Sequence, residues 1–140
     1  MSSPLVIFLH SSSYDRLFQA VNLLVTASSM GRPSHLFLFY GALATYVDGS
    51  WDDISLQLPG GSLPWAKTLA RSFELADTPS LYELIDIAKK EPGGLTVYAC
   101  SASVNMLRLE PGEVGAKVDQ ITGHATMLEI ASRTDQVLYI

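Results

Sequence analysis

Four short, almost continuously apolar runs punctuate the chain: Leu5–Leu9, Leu36–Tyr40, Leu95–Ala99 and Gln136–Ile140. Each is about as long as a strand and too short for a buried helix. None alternates apolar with polar residues, as a strand with one wet face would. Runs of this kind belong to strands covered on both faces. Stretches with helical spacing separate them, so the pattern predicts an α/β chain with a mostly parallel sheet.

Between the first two runs, Leu17, Ala20, Val21, Leu24 and Val25 recur at helical spacing. Ser12 and Asp15 fit a capping box, and Gly31-Arg32-Pro33 supplies a stop. Gly41–Val47 reads as a short helix opened by a glycine turn. Residues 48–63 lack periodicity and hold Gly49, Pro59, Gly60 and Gly61, so they read as an extended loop in which Trp51 packs. Asp52-Asp53 read there as a solvated acidic turn. Pro64 opens a helix with Trp65, Leu69, Phe73 and Ala76. Thr78-Pro79 restarts another that runs to about Glu91, with Lys89-Lys90 at the favourable end of its dipole. After the third strand, 101–109 reads as a short helix or turn. A further helix is expected with Val114, Val118 and Ile121 on one face, and His124–Ser132 forms one more.

With 140 residues and one cysteine, a single domain is expected, without an internal disulfide or a thiolate zinc centre. The net charge of −5 and nine scattered basic residues argue against nucleic acid as a ligand. No apolar run approaches membrane-spanning length, and the start Met1-Ser2-Ser3-Pro4 lacks a basic leader, so a cytoplasmic protein is expected. Charged residues make up 16% of the chain, against roughly 25% in ordinary soluble domains. A surface so weakly charged suggests burial against copies of the same chain.

In open parallel sheets, ligands bind beyond the carboxyl ends of the strands. Those ends carry His10 with Ser11, Tyr40 with Gly41, and Cys100 with Ser101 and Ser103. If the three strands are neighbours, His10, Tyr40 and Cys100 face one crevice. Cys100 lies where a strand passes into a helix, a setting that favours a thiolate. It also reads as a small buried hydrophobe, since free cysteine is among the most buried residues. Ser11–Ser13 can hold an anion or simply cap a helix. His10 can act as acid or base, or be an ordinary hydrogen-bonded histidine. His124, with no acid or thiol at ligand spacing, reads as structural, and His35 lies at the opposite strand end. No metal site, phosphate loop or hydrolase elbow is found, and no cofactor is expected.

The opening strand with its long helix, the segment Val97–Ser103 and the closing Ala131–Ile140 together resemble the DsrE/DsrF-like proteins, a family that includes TusD-like sulfur-relay subunits. The likeness covers nearly the whole chain. Cys100 followed by small residues resembles the family's strand-end cysteine, and Asp135 with Val137 its closing strand entry. The resemblance implies one domain over 1–140, a three-layer α/β/α sandwich with about five strands, and a homo-trimer or homo-hexamer. It further implies a persulfide carried on Cys100 and passed from a donor to an acceptor protein. The alternatives are a non-enzymatic oligomeric binding or regulatory protein with a structural Cys100, and, more weakly, a one-cysteine redox sensor.

Overall fold

A computed structural model describes residues 3–54 and 63–140. Its elements are β1 (Leu5–Leu9), α1 (Tyr14–Ser29), β2 (Ser34–Leu38), α2 (Tyr40–Asp48), α3 (Pro64–Leu75), α4 (Leu81–Lys90), β3 (Leu95–Cys100), α5 (Ser101–Met106), α6 (Pro111–Gly115), β4 (Gln120–Thr122), α7 (His124–Ala131) and β5 (Val137–Tyr139). The strands form one sheet in the order β4-β3-β2-β1-β5, with every pairing parallel. The architecture is the expected three-layer α/β/α sandwich.

The apolar runs explain why the sheet is the middle layer. Alternate side chains of one strand enter different cores. Leu5, Ile7 and Leu9 join Leu36, Leu38, Val97 and Ala99 on one face, covered by α1, α2, α4, Val104 of α5 and Val114 of α6. Val6, Phe8, Phe37, Phe39, Tyr98 and Cys100 face the other way and meet Met127 of α7. Among the described residues, the first face is aliphatic and covered by several helices, whereas the second is aromatic and covered mainly by α7.

Glycine and proline end the first helix as expected. Gly31 takes a left-handed φ of +79° just past α1. Gly93 has a different reason to be glycine, because a Cβ there would lie 2.2 Å from the Arg32 carbonyl oxygen. The backbone of the β3 approach is pressed against the β2 approach and closed by a Gly93 N–H bond to the Ser28 carbonyl. Trp51 is wholly buried, and its Nε1–H donates to the Ala42 carbonyl at 3.0 Å. The part of the loop containing Pro59, Gly60 and Gly61 lies outside the described residues, as do Met1 and Ser2.

Four readings need correction. The helix expected around Val114, Val118 and Ile121 ends at Gly115, and Ile121 lies in β4. A three-residue strand is too short to show a period, and pairing with β3 overrides local spacing. Asp119 starts that pairing, since its carboxylate accepts the Val97 N–H at 2.7 Å and its own N–H donates to the Val97 carbonyl. The same carboxylate pairs with Lys89 at 2.8 Å. The Ser12–Asp15 capping box is absent, and Ser13 is the N-cap of α1, its hydroxyl making no capping bond to the helix. Strand β2 begins at Ser34 and ends at Leu38, so Tyr40 belongs to the next helix. Asp52 is more than a solvated turn residue: its carboxylate accepts the Leu81 N–H at 2.8 Å, at the start of α4.

Candidate functional site

The strand order makes β1, β2 and β3 neighbours, so their carboxyl ends form one row. After β3 the chain turns to the aliphatic face through α5, and after β4 it turns to the aromatic face through α7. Connections that leave adjacent strands towards opposite faces leave a crevice between them. Cys100 is the last residue of β3 and pairs in register with Thr122, the last residue of β4. Gly123 then delivers His124 as the first residue of α7. The Cys100 Sγ lies 3.7 Å from His124 Nε2.

Stacked rings extend the row. The His124 ring is nearly parallel to Phe39, at 9° and 6.4 Å between centroids. On Phe39 also lies the His10 ring, at 13° and 5.0 Å, and Tyr40 meets His10 at 5.7 Å. The structure thus brings His10, Tyr40 and Cys100 into one line, linked through Phe39 and His124. Both imidazoles are exposed, and Tyr40 is 42% exposed. Cys100 is only 1% exposed and packs within the aromatic cluster.

Backbone strain marks the middle of the row. Tyr40 has φ +37°, a left-handed conformation that its side chain makes costly. The expected glycine turn therefore places the unusual angle on the tyrosine and not on Gly41. A Cβ on Gly41 would meet the His10 carbonyl and Ser12 at 3.5 Å, an ordinary contact distance. The Ala42 N–H bond to the His10 carbonyl ties the two strand ends together.

Ser11 turns inward on its own loop, where its hydroxyl bonds Ser13 Oγ at 2.8 Å and accepts the Ser13 N–H. Ser101 is half-buried beside Gly123, whose Cβ position is 3.8 Å from Ser101 Oγ. Ser103 is fully buried, and among the described residues its hydroxyl has no hydrogen-bond partner. Cys100 is the N-cap of α5, but its sulfur makes no capping bond to that six-residue helix.

His124 is the residue that sequence reasoning assigned to structure alone. With 120–122 read as the end of a helix, His124 opens a separate helix in the sequence, and its position just past a strand end is hidden. The signal was the sequence Gln120-Ile-Thr-Gly123, a short strand-like run closed by glycine. Phe39, within the apolar run Leu36–Tyr40, carries no sequence signal of its own for a place in this row. His35 sits elsewhere, on the aromatic face, with Nδ1 2.8 Å from the Tyr98 hydroxyl. Burial, and then the positive Arg133, lower its pKa from the ordinary value of 6.5.

Among the described residues, no cluster of three or more His, Cys, Asp or Glu side chains is arranged to hold a metal ion. No helix among them is long and apolar enough to cross a membrane. The sequence matches no protein-family model, and no curated protein matches it at a significant level.

A sulfur beside an imidazole nitrogen has a defined chemical capacity. A neutral imidazole can take the thiol proton, and the thiolate is the reactive form of cysteine. His10 and Tyr40 add exposed polar groups along the same row.

Proposed function

We propose that the chain is a sulfur carrier that accepts sulfane sulfur on Cys100. The observation that supports this reading is the 3.7 Å contact between Cys100 and His124 at the crevice between β3 and β4. His124 takes the thiol proton, and the thiolate attacks the outer sulfur of a donor persulfide, R–S–SH. The new S–S bond gives Cys100–S–SH as the donor's S–S bond breaks and leaves R–S⁻. An acceptor thiolate then attacks the outer sulfur and releases the Cys100 thiolate. His10, Ser11, Tyr40, Gly41, Ser101 and Ser103 form the proposed surroundings, and His124 joins them. The resemblance to DsrE/DsrF-like proteins supports the same reading, together with a cytoplasmic setting that keeps the thiol reduced.

Incubation with a persulfide donor tests it by intact-mass measurement. The expected result is a gain of one sulfur atom that Cys100→Ser abolishes. No gain in the native protein, with a control carrier loading normally, rejects the proposal.

The 1% exposure of Cys100 favours a second reading, a non-enzymatic oligomeric binding or regulatory protein with Cys100 as packing. Thiol-reagent kinetics separate the two. Slow labelling that does not accelerate with pH supports the packing role, because a reactive thiol gains thiolate as pH rises. A homo-trimer or homo-hexamer is part of both readings. Exposed Met106, Leu128 and Tyr139 support it, and light scattering on the purified protein tests it.

A further inference from the structure

A second concavity lies at the amino ends of the strands, opposite to the row that holds Cys100. Strand β5 extends the sheet past β1, where Leu138 pairs in register with Ile7 and so shares the aliphatic face. Its cover by α1 is incomplete: Leu138 keeps 37% of its surface exposed, and Met30 just past α1 keeps 64%. Between α1 and β5 this leaves a half-open cavity of about 350 Å³, walled by Leu5, Leu23, Ala27, Met30 and Leu138. That volume is at the lower end of small-molecule pockets, roughly 300–1,000 Å³, and suits one compact apolar group. Opposite charges stand at this cavity without being spent on each other. Arg32 and Asp135 both line it. The ion pairs among the described residues are Lys89–Asp119 and Arg133–Glu129, so neither Arg32 nor Asp135 is paired there. The Arg32 side chain is nevertheless fixed. Its Nε–H donates to the Ser3 carbonyl at 2.8 Å, and Nη2 donates to the Pro4 carbonyl and to Gln136 Oε1. Nη1 is left without a hydrogen-bond partner among the described residues. Helix α1 ends at the same cavity with Thr26 and Ala27, and has no basic residue in its last turn. A helix C-terminus carries partial negative charge and favours a cation.

We propose that this cavity binds a free apolar α-amino acid of leucine or methionine size. Its carboxylate takes the open Nη1 donors of the fixed Arg32 guanidinium, a charge-assisted contact. Its ammonium faces the Asp135 carboxylate and the end of α1. Its side chain covers Leu23, Ala27 and Leu138, removing apolar surface from water. Only a free amino acid carries both charges next to one apolar side chain. A peptide terminus brings one charge or the other, and a simple apolar acid brings an anion that Asp135 repels. The proposal is independent of the carrier reading, because the two sites stand at opposite ends of the strands.

Calorimetric titration of the native protein with leucine, leucinamide and isocaproate tests it. The amide lacks the carboxylate, and isocaproate lacks the ammonium. Leucine is expected to bind at least about tenfold tighter than either. Backbone amide NMR shifts on binding are expected in β5 and at the end of α1. Asp135→Asn is expected to weaken leucine about tenfold while isocaproate binds as before or tighter. Arg32→Gln is the reciprocal variant, expected to weaken leucine and leave leucinamide unchanged. Circular dichroism checks both folds. Asp135 is exposed, so its variant stays informative even if Arg32→Gln, which also releases the Ser3 and Pro4 carbonyls, does not fold. A Kd above about 1 mM for both leucine and methionine overturns the proposal. So does isocaproate binding as tightly as leucine, or an Asp135→Asn variant that weakens the two alike. Shifts gathered around His10 and Tyr40 overturn it as well. Each of these results leaves the carrier reading of Cys100 where it stood.

Discussion

The two faces of the sheet are built from alternate residues of the same strands, yet they do different work. The aliphatic face packs Ile7, Leu9, Leu36, Leu38 and Val97 under several helices, with Trp51 closing the region near α2. The aromatic face offers Phe8, Phe37, Phe39 and Tyr98, and among the described residues it is covered mainly by α7, held by Met127 with Ile130 and Ala131 at its edge, and touched by Ala102 of α5. Aliphatic side chains interdigitate without polar atoms to satisfy and suit a rigid support. Aromatic side chains with a hydroxyl or an imidazole at one end suit a boundary with water. The stable face thus holds the strand ends in position while the lightly covered face presents them.

The comparison can be broken most forcefully at Trp51. Trp51→Ala removes a wholly buried indole and its Nε1–H bond to the Ala42 carbonyl, which keeps only a longer bond from the Thr45 hydroxyl at 3.3 Å among side-chain donors of the described residues. The expected loss is about 3–5 kcal/mol of unfolding free energy, read as a shift in denaturant midpoint. A loss under about 1 kcal/mol would mean that the aliphatic face is not the support described.

Met127→Ala tests the other face. A loss of about 2–3 kcal/mol is expected, at the lower end for a buried methionine, because one helix side is already open to water. Its sharper signature is local. Thiol labelling of Cys100 is expected to accelerate by more than the loss of global stability accounts for, since α7 loses its anchor. Trp51→Ala is expected to raise labelling only through global unfolding. Equal behaviour of the two variants would erase the difference between the faces.

The smallest expected effect is the pH response of His35. Its pKa is lowered in the fold by burial, then by Arg133. The unfolded chain therefore takes the proton first as pH falls, and the folded state loses relative stability below the ordinary value of 6.5. Above that value the residue is neutral in both states and adds no slope. Thermal melts from pH 7 down to about pH 5 are expected to show a shallower decline in His35→Gln than in the native chain. An identical slope would remove His35 from the acid response of the aromatic face.

Most of the sheet was legible because burial on both sides writes itself into composition. Leu5–Leu9 and Leu95–Ala99 are apolar at every position or nearly so, and no helix of that length would need to be. Trp65 to Ala76 and Leu81 to Ala88 carried helical spacing strong enough to survive. What stayed hidden depended on partners distant in sequence. Gln120–Thr122 is a strand because β3 offers it a ladder, and nothing within three residues encodes that offer. The pairing of Cys100 with His124 followed from the same strand, so missing β4 concealed the histidine as well. Tyr40 in a left-handed conformation went unread for another reason: the adjacent Gly41 is the residue whose chemistry announces such a turn.

The strand order has a consequence for how the chain acquires its shape. Strands β1 to β4 are laid down successively outward, each beside the one before, apart from β5. That last strand returns past all of them to pair with β1, and Thr134 reaches the Pro4 carbonyl across 130 residues. Contacts of such long sequence separation close late and slow the overall rate. During synthesis, β1 to β3 can assemble with their helices while one edge of β1 stays unpaired until β5 emerges. Over that interval the nascent chain displays Val6 and Phe8 beside an open ladder, a surface suited to a chaperone or to a wrong strand. The segment that completes the sheet is thus also the one that ends its exposure to misassembly.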